Sequence, residues 1–360
     1  MFRNKITTLF LLAVVLASIV EVANADFTFG EPTNLGPPIN CAAADCAPCI
    51  SADGLEFYFH RGADAVADIW VARRATPDSE WEPPLNLGPT VNTPGSDATP
   101  SISTDGLSLY FLSNRPEGFG YEDLWVTTRA TLDDDWGAPI NLGVTVNSAS
   151  SDGVPIISAD GLELYFTSNR PGGHGNFETW ISTRATTSDP WPPPVNLGPT
   201  LNTSANEMFP SISADGLLLF FSSNRSGGLG SWDLYMARRA TTKDTWGPPM
   251  NLGPTVNSTS VETGVKISAD GSMIYFHSNR PGGEGRWDVW QVPLESVVEL
   301  NGDNIVDATD MCIIVDNWGT DDPLCDIGPM PWGDGIVDVQ DLIILAEHLF
   351  EEIPPAEPVE

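Results

Sequence analysis

The sequence predicts an all-β fold, a five-bladed β-propeller closed by its N-terminal strand, with a small α-helical module at the C-terminus. Three observations lead to this prediction. A unit of about 55 residues occurs five times. Each unit alternates apolar and polar residues with a period of two, as β-strands do. The repeat then stops, and the last sixty residues follow a different pattern.

Three landmarks define the repeat. The tripeptide Asn-Leu-Gly begins at residues 34, 86, 141, 196 and 251, with spacings of 52, 55, 55 and 55. Nineteen residues after each of these positions lies the Asp of "SADG" or "STDG". A further acid precedes a third apolar strand, and the five copies of this acid are Asp68, Asp123, Glu178, Asp233 and Asp288. A period kept at several landmarks indicates a repeat architecture.

Each unit offers about four short strands separated by turns rich in Gly, Pro, Asn and Asp. The segment "LSLYFLS" alternates its side chains, and "DLWVTTR" forms a second strand of the same kind. A blade of a propeller is a four-stranded sheet of this size. The fifth copy lacks its own Asn-Leu-Gly strand, whereas the chain begins with "FTFGEPTNLG". We therefore expect the N-terminal strand to complete the fifth blade, which removes open sheet edges.

The blocks related to "PSISADGLLLFFSSNRSGGLGSWDLYMARR", Pro210 to Arg239, resemble the WD-type repeats of the TolB-like propeller superfamily. The shared pattern is S-x-D-G, Y-F-x-S-N-R and D-[IL]-[WY]. The resemblance covers roughly Phe27 to Val292 and implies a propeller scaffold, although TolB-like propellers commonly have six blades. It implies no ligand.

The expected domain organisation has five parts. Residues 1–25 resemble a secretory signal, with basic Arg3 and Lys5, an apolar run and a small-residue cleavage site near Ala25. The propeller covers residues 26–294, with repeats near 34–85, 86–140, 141–195, 196–250 and 251–294. A linker at 295–297, a calcium-binding module at 298–350 and an acidic, proline-rich tail at 351–360 complete the chain.

The module begins with "ELNGDNIVDATD", which matches an EF-hand-type loop. Oxygen ligands for Ca²⁺ are expected from the side chains of Glu299, Asn301, Asp303, Asp307 and Asp310 and from the carbonyl of Ile305. The alternative is an acidic turn exposed to solvent. A second loop, "WGDGIVDVQD", repeats the later ligand positions at Asp334, Ile336, Asp338 and Asp341, but Met330 and Trp332 occupy its first two.

Two such loop-helix units resemble a type I dockerin, from Val298 to about Phe350. Glu299 and Asn304 depart from the Asp and Gly that are usual at their positions. The resemblance implies Ca²⁺ as cofactor and a cohesin-like protein or cell-surface scaffold as partner.

Five cysteines, Cys41, Cys46, Cys49, Cys312 and Cys325, form an early and a late cluster. In an exported chain they suggest disulfides within each cluster, and the odd number leaves one thiol over. A thiolate metal site at the early cluster is the alternative.

One acidic position recurs where each first strand begins, at Asp45, Asp97, Asp152, Glu207 and Glu262. We call these the ring carboxylates. If they face the central channel, they form a ring at its mouth and repel one another or attract a cation. Alternatively, each accepts hydrogen bonds from backbone amides and is part of the architecture. The arginines of the recurring "SNR" are expected to pair with the acid of the following strand, such as Arg170 with Glu178.

Residues unique to one blade are better ligand candidates than recurring ones, and His174, Trp232 and Trp287 are of this kind. In the positions of Trp232 and Trp287 other blades carry Ala67, Glu122 and Phe177.

With 49 acidic and 16 basic residues and a net charge of -33, the chain is expected to bind neither nucleic acid nor anionic membranes. No segment predicts a membrane span. Catalytic carboxylates must differ in environment, whereas nearly every acid here has four equivalents. The sequence therefore favours a secreted, non-catalytic propeller that binds a protein or polysaccharide and is positioned by its calcium module. The alternative is a polysaccharide-active enzyme of the glycoside hydrolase type.

Overall fold

Each of the first four repeats folds into one four-stranded antiparallel sheet, and the fifth repeat forms a sheet together with strands from the start of the chain; these five sheets form the five-bladed propeller that the sequence predicts. A computed structural model describes residues 27–63, 66–296, 308–319, 325, 337 and 339–347. The strands are Phe27–Phe29 (β1), Thr33–Asn34 (β2), Asp45–Ile50 (β3), Glu56–Ala63 (β4), Val66–Arg73 (β5), Leu85–Asn86 (β6), Asp97–Ile102 (β7), Ser108–Ser113 (β8), Asp123–Thr128 (β9), Ile140–Asn141 (β10), Asp152–Ile157 (β11), Glu163–Ser168 (β12), Glu178–Thr183 (β13), Val195–Asn196 (β14), Glu207–Ile212 (β15), Leu218–Ser223 (β16), Asp233–Arg238 (β17), Met250–Asn251 (β18), Glu262–Ile267 (β19), Met273–Ser278 (β20) and Asp288–Ser296 (β21). The helices are Gly253–Val256 (α1), Ala308–Asp316 (α2) and Val339–Glu347 (α3).

Blades 1 to 4 consist of β3–β6, β7–β10, β11–β14 and β15–β18. Blade 5 consists of β19, β20 and β21, and β2 from the start of the chain supplies its fourth strand. Thr33 pairs with Gln291 and Asn34 with Trp290. The predicted closure by the N-terminal Asn-Leu-Gly strand is therefore confirmed.

Two compact units divide the described residues. The propeller is formed by Gly30–Pro293. The other unit contains β1, which pairs with Leu294–Ser296 at the end of β21, together with α2 and α3. In this second unit Ile314, Cys325, Val337 and Leu345 form a buried cluster.

The first strands neighbour one another around the axis of the propeller. Each ends in an isoleucine, and these five side chains are almost fully buried: Ile50, Ile102, Ile157, Ile212 and Ile267. They line a cavity of only about 50 Å³. Small-molecule sites usually have volumes of about 300–1,000 Å³, so this cavity is too small for a ligand of that kind.

The recurring Asn-Leu-Gly and a second asparagine six residues later bind the third strand of the sheet they complete. In the fifth blade, Asn40 Oδ1 accepts a hydrogen bond of 2.8 Å from Val289 N, and Asn40 Nδ2 donates one of 2.8 Å to Val289 O. Asn40 Nδ2 also donates to Asn34 Oδ1 at 2.8 Å. The closing segment is thus held by the same contacts that Asn202 makes within the third blade.

Cys41, Cys46, Cys49 and Cys312 are free thiols in the described structure, so the disulfides expected within the two clusters are not formed there. Cys46 and Cys49 lie in one strand but take part in different contacts. Cys49 packs among Tyr58, Ile69 and other core residues, whereas Cys46 is paired across the sheet with His60. Burial also raises the pKa of the Cys46 thiol, which disfavours the thiolate that a metal would need.

We predict that Asn40→Ala destabilises the propeller by about 1–3 kcal/mol, because it leaves the buried N–H of Val289 without its partner and removes one of the two hydrogen bonds to the Val289 C=O, which keeps Leu35 N. Urea unfolding measures the change. Asn202→Ala is the matched control inside an uninterrupted blade and is expected to have an effect of the same size. An Asn40→Ala variant as stable as the wild type would contradict closure by this segment.

Candidate functional site

The ring carboxylates lie at the start of each first strand and are 0–1% exposed. Each accepts hydrogen bonds from the turn before it and forms an ion pair with an arginine of the same blade, which is Arg61 in blade 1 and the arginine of "SNR" in the other four. Asp97, for example, accepts from Thr93 Oγ1 at 2.8 Å and forms an ion pair of 2.6 Å with Arg115. The other ion pairs join Asp45 to Arg61, Asp152 to Arg170, Glu207 to Arg225 and Glu262 to Arg280.

This arrangement corrects two expectations. Arg170 pairs with Asp152 and not with Glu178, which instead accepts hydrogen bonds from turn amides and from Asn196. The ring carboxylates are also buried, and an arginine balances the charge of each one, so they form part of the architecture. They do not present an open ring of negative charge to the channel.

One ring carboxylate, Asp45, has a pKa above the usual value of an aspartate. Burial raises the pKa of Asp45, and this effect outweighs the opposing ion pair and hydrogen bond from Arg61. Asp45 nevertheless has no exposed surface, so it cannot contact a substrate directly in this conformation.

Every first strand has a β-bulge just after its ring carboxylate. The residues at the bulge have positive φ angles of 50–67°, and they are Ala47, Thr99, Val154, Phe209 and Gly264. Four of their N–H groups donate to a side chain of the preceding blade: Ala47 N to His277 Nδ1, Thr99 N to His60 Nδ1, Phe209 N to Thr167 Oγ1 and Gly264 N to Ser222 Oγ. The bulge therefore turns an amide towards the neighbouring blade, and sequence reasoning did not find it.

A second contact between blades uses the residue just before the recurring acid of each third strand. We call this the cross-blade position, and its five residues are Ala67, Glu122, Phe177, Trp232 and Trp287. The carbonyl oxygens of the last four accept the N–H of the next ring carboxylate residue at 2.8–3.1 Å. The backbone role is thus repeated, whereas the side chains differ completely. The side chain at such a position can be exchanged for one with a different functional group while the fold is kept.

Trp287 contributes to an aromatic trio at this end of the propeller. The Trp287 and His277 rings lie 5.5 Å apart, and the His277 and Phe209 rings lie 5.6 Å apart, both edge to face. Trp287 and Phe209 are partly exposed, whereas His277 is buried beneath them. The trio offers an apolar ring surface of the kind that stacks on sugars or aromatic groups.

Glu122 is the one acid at the cross-blade position. Its side chain is partly buried, and among the described residues no Lys or Arg forms an ion pair with it. Burial raises the pKa of Glu122, while a hydrogen bond with Ser151 opposes the shift. A carboxyl group of this kind holds its proton to higher pH than an exposed glutamate and can act as a general acid.

The other two sequence candidates are placed apart from the trio. Trp232 occupies the cross-blade position of blade 4 and is partly exposed. His174 is exposed on the turn between β12 and β13, and its N–H donates to Glu178 Oε1. No described contact joins His174 to Trp232 or Trp287. Among the candidates, the structure therefore favours the cross-blade residues.

The proposed calcium ligands lie almost entirely outside the described residues. These are Glu299, Asn301, Asp303, Ile305, Asp307, Asp334, Ile336 and Asp338, and of Asp310 only the backbone in α2 is described. Asp341 is described and is 0% exposed at the start of α3. Among the described residues no cluster of three metal-ligating side chains occurs.

The fold defines a class of protein, the five-bladed β-propeller, and comparison with solved structures places it beside both enzymes and TolB proteins. A family 117 glycoside hydrolase from Zobellia galactanivorans shares 12% identity at a TM-score of 0.50, over 75% of this chain and 90% of that one. An α-L-arabinofuranosidase from Lactobacillus brevis shares 14% identity at a TM-score of 0.48, over 72% and 92%. TolB from Acinetobacter baumannii shares 17% identity at a TM-score of 0.44; the match covers 71% of this chain but only 55% of that TolB.

At these identities the similarities show the fold alone. No family model matches the chain, and no curated protein matches it either. The prediction that the chain is not an enzyme is nevertheless contradicted, because the family 117 glycoside hydrolase has this fold. The argument behind that prediction is that nearly every acid has four equivalents, and Glu122 is an exception, because its counterparts are Ala, Phe and two Trp.

No helix among the described residues is long and apolar enough to cross a membrane. The segment 1–25, expected to be a signal peptide, lies outside the described residues.

The two buried histidines predict a pH dependence of stability. Burial lowers the pKa of His277 to about 3, with nearby His60 contributing, and burial lowers the pKa of His60 to about 4. Because the unfolded chain binds protons near the usual pKa of about 6.5, stability is full above that pH and falls as the pH drops towards 4.

We predict that His277→Ser removes about 2 kcal/mol of the stability difference between pH 7 and pH 4.5. Serine is the residue that blade 4 uses at Ser222 to accept the same kind of amide hydrogen bond. Urea unfolding at both pH values measures the effect, with His174→Ser as an exposed control. An unchanged pH dependence in His277→Ser would show that this histidine does not titrate on unfolding.

Proposed function

We propose that this propeller is a carbohydrate-active protein of the glycoside hydrolase type, with its site where the first strands begin and with Glu122 as general acid. The observation that carries the proposal is the environment of Glu122. It is an acid without a repeat equivalent, it is partly buried, and burial raises its pKa. Glycoside hydrolysis requires such a protonated carboxyl group beside the leaving oxygen.

The aromatic trio and Trp232 support a carbohydrate ligand. Partly exposed aromatic rings at the same end of the propeller as Glu122 provide surfaces on which sugar rings can pack. The shared fold with a family 117 glycoside hydrolase is compatible with this proposal but does not carry it.

In the proposed step, Glu122 donates its proton to the glycosidic oxygen as the bond to the anomeric carbon breaks. Water then adds to the anomeric carbon and gives a proton to the Glu122 carboxylate, so each cleavage consumes one water molecule and leaves Glu122 protonated again. The reaction also needs a base or nucleophile. The ring carboxylates do not suit that role in the structure, because each is buried and held by an arginine and by turn residues.

We predict that the protein releases reducing sugar from at least one polysaccharide of a panel and that Glu122→Gln lowers kcat about 10²- to 10⁴-fold, the usual contribution of a general acid. Activity should fall as the pH rises through the Glu122 pKa. Glu80→Gln is the matched control, because Glu80 is exposed on another blade. Wild-type turnover by Glu122→Gln would refute its role, and no turnover on any polysaccharide would refute the function.

The C-terminal unit has features that support the predicted dockerin-like calcium module. Helices α2 and α3 pack around Ile314 and Leu345, and Asp341 places a buried carboxylate at the twelfth position of the second loop. The segment from Glu299 to Glu360 contains 16 acidic residues and no Lys or Arg. Oxygen donors at alternate loop positions fit Ca²⁺, which takes six to eight oxygens. We propose that Ca²⁺ binds here and that a cohesin-like protein or cell-surface scaffold is the partner of an exported protein.

We predict that EDTA lowers the melting temperature of the C-terminal unit and leaves the unfolding of the propeller unchanged, because metal binding contributes to folding only where the metal binds. Differential scanning calorimetry of the full chain, with added Ca²⁺ as the reverse test, measures both transitions. Asp303→Asn in the first loop should reproduce the effect of EDTA. Identical calorimetric traces with EDTA and with Ca²⁺ would contradict the proposed module.

A further inference from the structure

The clefts between neighbouring blades open at the end of the propeller where the first strands finish, and they differ in size. The cleft between blades 2 and 3 is a cavity of about 720 Å³. The corresponding clefts between blades 1 and 2 and between blades 3 and 4 measure about 290 and 190 Å³, and the one between blades 5 and 1 measures about 420 Å³. Small-molecule sites usually have volumes of about 300–1,000 Å³, so the blade 2–3 cleft is large enough for one.

The two smallest of these clefts are occupied by the same ion pair. In the blade 1–2 cleft, Glu56 Oε2 accepts from Tyr58 Oη at 2.8 Å and from Arg129 Nη2 at 2.6 Å. In the blade 3–4 cleft, Glu163 Oε2 accepts from Tyr165 Oη at 2.8 Å and from Arg239 Nη2 at 3.2 Å. Each cleft thus holds one carboxylate between a tyrosine of one blade and an arginine of the next.

In the blade 2–3 cleft the tyrosine and the arginine are kept but the carboxylate is missing. Tyr110 and Arg184 occupy the equivalent positions, and Ser108 stands where the two smallest clefts have glutamate. Among the described residues no carboxylate forms an ion pair with Arg184. The shorter serine side chain leaves space where a glutamate would lie.

Arg184 is held in place by contacts that do not use up its charge. Its Nε donates to the Gly161 carbonyl at 2.9 Å, its Nη1 donates to the Asp189 carbonyl at 3.4 Å, and its guanidinium carbon lies 4.1 Å from the centre of the Trp191 ring. The Tyr110 side chain also forms a hydrogen bond with Arg184, as Tyr165 does with Arg239 in the cleft that holds Glu163. Arg129 and Arg239 make the same contacts with a glycine carbonyl and a tryptophan ring, with Gly106 and Trp136 and with Gly216 and Trp246. The arginine of the open cleft is therefore oriented as in the clefts that hold a carboxylate.

Three acids, Asp105, Asp160 and Asp189, also line the open cleft and would repel an anion. The blade 1–2 cleft shows that nearby aspartates do not prevent a carboxylate from being held ionised beside the arginine. That cleft is lined by Asp53, Asp105 and Asp133, yet the pKa of Glu56 is lowered. Burial acts to raise it, but hydrogen bonds from Arg129 and Tyr58 and the charges of Arg129 and Arg73 together outweigh burial.

We propose that the blade 2–3 cleft binds a ligand carboxylate, which takes the place of the missing glutamate between Tyr110 Oη and the Arg184 guanidinium. A hexuronate residue of an acidic polysaccharide fits this chemistry, because its carboxylate would meet the arginine and its hydroxyls would meet Ser108, Thr128 and Asp160 along the walls. The cleft lies at the opposite end of the first strands from Glu122, so the proposal is independent of the hydrolytic function.

The test uses the full-length protein, with glucuronate as probe and glucose as its neutral counterpart, titrated by calorimetry or protein-observed NMR. Glucuronate should bind and glucose should bind at least about tenfold more weakly, as expected for loss of a charge-assisted hydrogen bond. Arg184→Gln should weaken glucuronate binding by about the same factor. Equal affinity for glucuronate and glucose, or no binding of glucuronate, would overturn the proposal.

Two further variants separate ligand binding from folding. Ser108→Glu supplies the carboxylate that blades 1 and 3 carry, so it should abolish glucuronate binding and raise the melting temperature. Arg74→Gln is the matched control, because Arg74 is stacked on Trp81 in the same way and lines the cleft between blades 5 and 1, which keeps Tyr275 but has the longer, apolar Met273 at the position of the glutamate. It should leave glucuronate binding unchanged. Glucuronate binding retained in Ser108→Glu, or lost in Arg74→Gln, would show that binding occurs elsewhere.

Discussion

The structure depends on a buried ion pair that is repeated once in each blade, between the ring carboxylate of the first strand and an arginine, which is Arg61 in blade 1 and the arginine of "SNR" in blades 2 to 5. In blade 2 the Arg115 guanidinium also donates to the Val91 carbonyl at 2.8 Å and lies over the rings of Phe111 and Trp125. One side chain therefore joins the end of the second strand, the start of the first strand and the connection from the previous blade. Burying two charges is costly unless every donor and acceptor is satisfied, and here the turn before the ring carboxylate supplies the remaining hydrogen bonds. The sequence must then keep this whole set together, which explains why its members recur at fixed spacing.

A scaffold held in this way tolerates variation wherever only the backbone takes part. At the cross-blade position the carbonyl oxygen makes the repeated contact, so Glu122, Phe177, Trp232 and Trp287 can replace one another without breaking the ring. At the bulge the donor is again a backbone amide, and any side chain that can accept its hydrogen bond is tolerated. His277, Thr167 and Ser222 accept it with three different chemical groups. Residues that recur in every blade thus build the propeller, whereas residues that differ between blades can take on a binding or catalytic role.

Much of the fold could be predicted from the sequence, because strand alternation, turn residues and a fixed period are local signals. The number of blades and the closure by Asn34 followed from counting copies. The site was harder to predict, since it depends on contacts between blades. Nothing in the sequence indicates that Thr99 and Val154, both β-branched, adopt positive φ angles at a bulge. The partner of Arg170 was also misassigned, because the nearer acid in the chain, Glu178, is engaged by turn amides while Asp152 lies across the sheet.

The differences between blades also carry information that no single blade contains. Tyr58 and Tyr165 show what a tyrosine and an arginine do at a cleft when a glutamate is present, and this identifies the unusual state of Tyr110. An isolated arginine facing a cavity would be ambiguous, because many exposed arginines have no fixed partner. Here two homologous clefts in the same molecule, with the same stacking beneath the arginine, show which ligand group the geometry accommodates. In a repeat protein the internal copies therefore act as reference structures, and the loss of one partner from an otherwise intact set distinguishes a vacant binding position from ordinary surface variation.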